Sequence, residues 1–145
     1  MPNRRDRGPF ALPMGLLWFV SAVAIGPISW IIAPASALAQ YGLSGAGWFA
    51  AFAVVYFVLE RVRLRFTRVG AWFHFSLITL GTVLITGPYF VLNTIPVSTP
   101  GPEKIALYRT LSTATTVGYG FSLLGLAVFI GVLVQSVWIA VRTRT

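Results

Sequence analysis

His74 is the residue in the apolar part of the sequence best able to bind a metal or a haem iron. It lies in a stretch, residues 69–102, without Asp, Glu, Lys or Arg, and the chain contains no cysteine and only three acidic residues. One imidazole cannot complete a zinc or haem site alone, so we expect His74 to be a packing residue. We predict no catalytic residue, no metal site and no cofactor. A haem held by His74 alone, or shared with a partner, is the competing redox hypothesis.

The other polar residues near the apolar stretches indicate structure rather than catalysis. Glu60 adjoins Arg61, and we expect a solvent-screened ion pair there. Gln40, Asn93 and Gln135 are expected to form hydrogen bonds between helices. The chain has no Gly-rich phosphate loop, no Ser/His/Asp set and no carboxylate pair, so the sequence predicts that the protein is not an enzyme.

The composition determines which elements must hold these side chains. Hydrophobic residues make up 57% of the 145 residues and charged residues 10%, against about 25% charged in soluble domains. Residues 8–59, 69–102 and 110–141 carry no Asp, Glu, Lys or Arg, and a bilayer core takes about 20 helical residues. We predict an all-α polytopic membrane protein, one transmembrane domain over 1–145 with an up-down bundle of four helices at roughly 12–34, 41–60, 71–92 and 108–141.

The positive charges predict the orientation of these helices. Nine arginines form three clusters, which four spans place on one membrane face: Arg4, Arg5, Arg7, Arg61, Arg63, Arg65, Arg68, Arg142 and Arg144. The positive-inside rule makes that face cytoplasmic, so we expect both termini in the cytoplasm of a bacterial-type inner membrane. The net charge of +8 then reflects topology and not nucleic-acid binding. Residues 1–40 also resemble a signal peptide, although their apolar segment exceeds the usual ~7–15 residues.

Small residues predict where helices pack closely. Gly42, Ala46 and Ala50 recur every four residues in the second span and therefore share one helix face. In lipid, such faces allow two helix backbones to approach. We expect these residues, and Gly81 in the third span, to lie in helix contacts.

A short motif near the fourth span resembles the selectivity filter of potassium channels. The residues are Thr113-Ala-Thr-Thr116-Val117-Gly118-Tyr119-Gly120. In that family, the backbone carbonyls of such a segment replace the hydration shell of the ion. The resemblance implies a tetrameric potassium-selective pore with Thr116, Val117, Gly118, Tyr119 and Gly120 as its filter. Here, however, Phe121 begins the next apolar run at once, without the Asp and linker of the channel family.

A longer resemblance runs through most of the chain. Tyr41-Gly-Leu-Ser-Gly-Ala-Gly-Trp-Phe-Ala-Ala-Phe-Ala-Val-Val-Tyr56 is similar, without a gap, to the tenth helix of haem-copper oxidase subunit I, whose pattern is Y-V-L-S-M-G-A-V-F-A-I-F-A-G-F-Y. The segment from His74 to Phe90 resembles the eleventh helix, and residues 112–140 resemble the twelfth. Residues 14–141 thus resemble the last four helices of that subunit, in order.

The resemblance also implies that the haem ligands of that family are missing. The two axial histidines that open the family's tenth helix correspond to Leu38 and Gln40, and the arginine pair after its eleventh helix is replaced by residues 93–100. Leucine has no donor atom, and glutamine is a poor ligand for haem iron. The residue matching His74 is not an axial ligand in the family.

Together these observations predict a non-catalytic membrane protein. We expect an accessory or structural subunit, or an assembly partner, of a larger respiratory-type complex. Its partners would be the lipid bilayer and other membrane subunits, and a homo-oligomer is the other assembly left open. The potassium channel is the alternative function.

Overall fold

The structure is a computed structural model that describes residues 13–32, 37–62, 64–94 and 101–142. Four α-helices account for nearly all of these residues: α1 (Met14–Ile32), α2 (Ala37–Arg61), α3 (Arg68–Thr94) and α4 (Pro102–Arg142). Each is long and apolar enough to cross a membrane. The chain is therefore an all-α, multi-pass membrane protein in contact with the lipid bilayer, and the predicted fold class is confirmed.

The residues at the start of α4 explain why this helix is longer than the predicted span. Gly101 accepts the first hydrogen bonds of α4, and Pro102 opens that helix, where its missing N–H costs nothing. The helix therefore begins before Tyr108, the predicted start of the span, because Glu103 and Lys104 end the apolar stretch but not the helix. Its 41 residues extend about 60 Å at 1.5 Å per residue. This is twice the ~30 Å hydrocarbon core, so α4 projects beyond it.

The helices form two antiparallel hairpins, α1–α2 and α3–α4, and most helix contacts lie within them. In the first hairpin Gly15 lies against Phe57, and Ser29 lies against Gly42. In the second, Gly125 lies against Ile78. Between the hairpins, α2 and α3 touch at only a few places. Glycines bring helices together within each hairpin, whereas large aromatic rings meet between the hairpins.

The two hairpins place four described arginines at one end of the bundle, here called the arginine end: Arg61, Arg65, Arg68 and Arg142. The guanidinium of Arg142 lies 4.5 Å from the Trp138 ring centre, an arrangement typical of cation–π contacts. The other arginines of the three clusters lie outside the described residues: Arg4, Arg5, Arg7, Arg63 and Arg144. The opposite end of the bundle is called the distal end below.

Candidate functional site

His74 lies at the centre of an aromatic cluster that joins all four helices. Its side chain is fully buried, and three rings lie around it: Trp18 of α1 at 4.7 Å, Phe52 of α2 at 4.5 Å and Phe129 of α4 at 4.8 Å between centroids. These separations suit favourable aromatic pairs, worth about 0.5–1.5 kcal/mol each. The cluster is thus the main contact that holds the two hairpins together.

Among the described residues, the imidazole has one hydrogen-bond partner, Tyr56. The Tyr56 hydroxyl oxygen lies 3.1 Å from His74 Nδ1, and with the proton on Nε2 that hydroxyl donates to Nδ1. Nε2 of His74 and Nε1 of Trp18 are buried and make no hydrogen bond to a described residue. An unpaired buried polar group costs about 1–3 kcal/mol.

The surroundings of His74 suit a packing residue. No three His, Cys, Asp or Glu side chains come together within the described parts of the chain. One imidazole nitrogen is engaged by Tyr56, and the rings of Trp18, Phe52 and Phe129 pack against the imidazole.

The filter-like motif has a helical backbone. Residues 116–120 lie inside the continuous helix α4, where each carbonyl is directed along the helix axis to an amide four residues later. A filter requires extended backbone with its carbonyls around a common axis. The helical conformation is therefore not the one that the channel interpretation requires. Gly118 is buried instead, and its Cα faces Gly81, Leu84 and Ile85 of α3.

The predicted packing residues take different positions. Gly42 lies against Ser29, Ala46 lies against Gly26, and Gly81 lies beside Gly118. Ala50 differs, because it is exposed on the side of α2 away from these contacts. The buried face of α2 continues through Phe49 and Ala53, which keeps the 3.5-residue spacing of a helix pair; spacing by four drifts off that face.

The two positions that the oxidase resemblance matches to haem ligands, Leu38 and Gln40, lie in the first turn of α2. Gln40 is exposed at the distal end of α2. The side chain of Leu38 lies outside the described residues, as does that of Asn93, a predicted hydrogen-bonding residue. Gln135, the third such residue, does connect two parts of the chain, because its Oε1 accepts from Thr67 Oγ1 at 3.0 Å.

Glu60 has a role that the sequence analysis missed. Its Oε1 accepts a hydrogen bond of 2.8 Å from the backbone N–H of Met14, the first residue of α1. A carboxylate at a helix N-terminus satisfies a free amide and favours the positive end of the helix dipole. The signal in the sequence was twofold. Pro13 precedes α1 and has no side chain that could cap this helix, and Glu60 lies at the end of the next helix, which meets the start of α1 in an antiparallel hairpin.

A groove of about 330 Å³ lies between α2, α3 and α4. It runs from the distal end towards the aromatic cluster, where Phe52 belongs to both. Gly45 of α2 and Thr82 of α3 both line it and approach each other closely, with the Thr82 methyl 3.4 Å from where a Gly45 Cβ would lie. Its lining includes hydroxyl-bearing, aromatic and aliphatic side chains: Tyr41, Ser44, Phe52, Ile78, Thr82, Thr86, Tyr119, Ser122, Leu123 and Leu126. The sequence analysis did not identify this site.

Comparison with models of protein families, with curated proteins and with solved structures finds no match for this chain. The resemblance to the last helices of haem-copper oxidase subunit I therefore rests on the residues quoted above.

Proposed function

We propose that this chain is a non-catalytic membrane subunit that acts as an accessory or assembly partner of a larger membrane complex. The resemblance to oxidase subunit I favours a complex of respiratory type. The surroundings of His74 support the non-catalytic part of the proposal, because Tyr56 engages one of its ring nitrogens and three aromatic rings pack against the imidazole.

The observation that carries the proposal is an exposed face of α2 made of small and polar residues. Gln40, Ser44, Gly47 and Ala51 are all exposed, and their spacing of four, three and four places them on one side of the helix. A Cβ added at Gly47 would meet no atom within 4 Å. We call these four residues the exposed α2 face.

Such a face suits a partner helix better than lipid. Helix association in membranes depends on close packing, and small residues let two backbones approach. Other exposed positions on α2 carry large apolar side chains, including Val54 and Phe57, which suit contact with acyl chains. The exposed α2 face is accordingly where we place a transmembrane helix of another subunit.

The experiment is affinity purification of the tagged full chain from its own membranes in mild detergent. We expect copurification of a stoichiometric set of other membrane polypeptides. Gly47→Leu should remove them, whereas Gly131→Leu should not, because Gly131 is equally exposed with no atom within 4 Å of its Cβ position but lies on α4. Recovery of the chain alone, or only as a homo-oligomer, would refute the proposal. Haem absorbance in the copurified fraction would support the respiratory-type partner.

The arginine end indicates the orientation that we propose, with both termini in the cytoplasm of a bacterial-type inner membrane. The absence of native cysteine makes single-cysteine labelling direct. We expect a membrane-impermeant maleimide to label Gly101→Cys in intact cells and Arg65→Cys only after permeabilisation. The reverse pattern would contradict this orientation.

A further inference from the structure

The groove between α2, α3 and α4 has the length of one bilayer leaflet. From Tyr41 to Phe52, its limits on α2, eleven residues rise about 17 Å. Half of a hydrocarbon core of ~30 Å is about 15 Å. The groove starts at the distal end, so it spans the depth of the distal leaflet and ends near the bilayer centre.

The size of the groove decides between a lipid chain and a helix. A helix of ~10 Å diameter and the same length of about 17 Å would occupy about 1,300 Å³. All the empty space of the groove, its open side included, is about 950 Å³. A partner helix could therefore cover the groove but could not enter it, whereas one extended hydrocarbon chain is thin enough to do so.

The lining changes in polarity along this length. Hydroxyl-bearing residues lie in its distal and middle parts, and apolar residues close its inner end. The distal residues are Tyr41, Thr86 and Tyr119, the middle ones Ser44, Thr82 and Ser122, and the inner ones Phe52, Ile78 and Leu126. Ligand sites between bundle helices are commonly apolar with a few polar groups that fix the orientation of the ligand.

We propose that this groove binds one acyl chain of a membrane phospholipid, with the ester end among Tyr41, Thr86 and Tyr119 and the terminal methyl end against Phe52 and Leu126. The acyl chain occupies space that the side chains of the two hairpins leave empty. The hydroxyls of Tyr41 and Tyr119 can donate hydrogen bonds to the ester oxygens of the lipid. The distal leaflet supplies the lipid, since the groove opens sideways between the exposed Ser44 and Leu123.

Photo-crosslinking of the full chain in phosphatidylcholine vesicles tests the site. Two probes are used, phosphatidylcholines with a diazirine either near the carbonyl or near the terminal methyl of one acyl chain, and adducts are mapped by mass spectrometry. We expect the first probe to label the distal lining residues and the second the inner ones. Both should label groove residues several times more often than Val54 and Val134, which are 62% and 63% exposed and lie outside the groove.

A matched pair of variants separates this site from ordinary lipid contact. Ser44→Phe fills the groove and should reduce its labelling to the level at Val54, while Ala50→Phe, also exposed on α2 but outside the groove, should leave it unchanged. If circular dichroism shows that Ser44→Phe fails to fold, Leu123→Trp, on the opposite side of the opening, takes its place. Labelling without preference for the groove, without dependence on diazirine position, or unaffected by the filling variant would overturn the proposal.

Discussion

Two neighbouring glycines in the filter-like motif make opposite predictions for helix packing. Gly118 lies at the α3–α4 contact, where an added Cβ would be 2.9 Å from the Gly81 carbonyl oxygen, the Leu84 Cβ and the Ile85 Cγ1. Gly120, two residues along the same helix, has no atom within 4 Å of its Cβ position. The substitutions Gly118→Ala and Gly120→Ala therefore add the same methyl group to opposite environments.

The expected magnitudes follow from these contacts. Ordinary contact begins at 3.4 Å, so Gly118→Ala requires α3 and α4 to separate by about half an ångström at a point where two of the obstacles are a backbone atom and a Cβ. Such overpacking costs about 1–3 kcal/mol. Gly120→Ala meets no obstacle and gains about 0.5–1 kcal/mol from the better helix propensity of alanine. Gly118→Ala shares this propensity gain, so the free energies of unfolding of the two variants should differ by the overpacking cost alone, about 1–3 kcal/mol.

The assay is reversible unfolding in mixed micelles of a mild detergent and sodium dodecyl sulfate, followed by far-ultraviolet circular dichroism. The wild-type chain and both variants are compared under one condition. Equal stability of the two variants would refute the proposed α3–α4 contact.

The same proteins in vesicles address the channel interpretation. A potassium filter needs both glycines. Potassium flux that is present in the wild type and lost in both variants would therefore favour the channel interpretation over the helical conformation of residues 116–120.

Two further perturbations probe the contacts within and between the hairpins. Tyr56→Phe and His74→Phe each break the buried 3.1 Å hydrogen bond and leave a polar atom unpaired, so the double variant should lose less stability than the sum of the single losses, by about 0.6–1.7 kcal/mol; strict additivity in the unfolding assay would contradict this. Glu60→Ala removes the acceptor for the Met14 amide and should lower stability by about 0.5–2 kcal/mol. Faster hydrogen exchange confined to the first turn of α1 checks that result, and unchanged exchange there would exclude the cap.

The aromatic cluster shows how far the sequence predicts this fold. The sequence places His74 within an uncharged, apolar stretch, and the structure has it inside α3. Its contact with Tyr56 could not be predicted, since 18 residues and a loop separate the two side chains. Their meeting depends on the rotation of α2 against α3. Hydropathy does not encode that rotation in a membrane protein, where both the helix interfaces and the lipid-facing surfaces are apolar.

The small residues illustrate the same limit. The spacing of Gly42 and Ala46 predicted a packed face, and both lie against α1, but Ala50 continues the series onto the exposed side. Gly47 and Gly118 are equally small, but Gly47 is exposed and Gly118 lies in a tight contact with α3. Composition alone does not distinguish them.

The sequence predicts the number and type of the helices and the position of the arginine end. A charged side chain in hydrocarbon is costly wherever it lies in the chain, and a long uncharged stretch must cross the membrane as helix. The tertiary structure alone decided which faces pair, that Glu60 caps α1, that residues 116–120 are helical and that a leaflet-long groove remains between the hairpins. These features depend on register and rotation between segments distant in the chain, and only the packing of side chains across the helices fixes them.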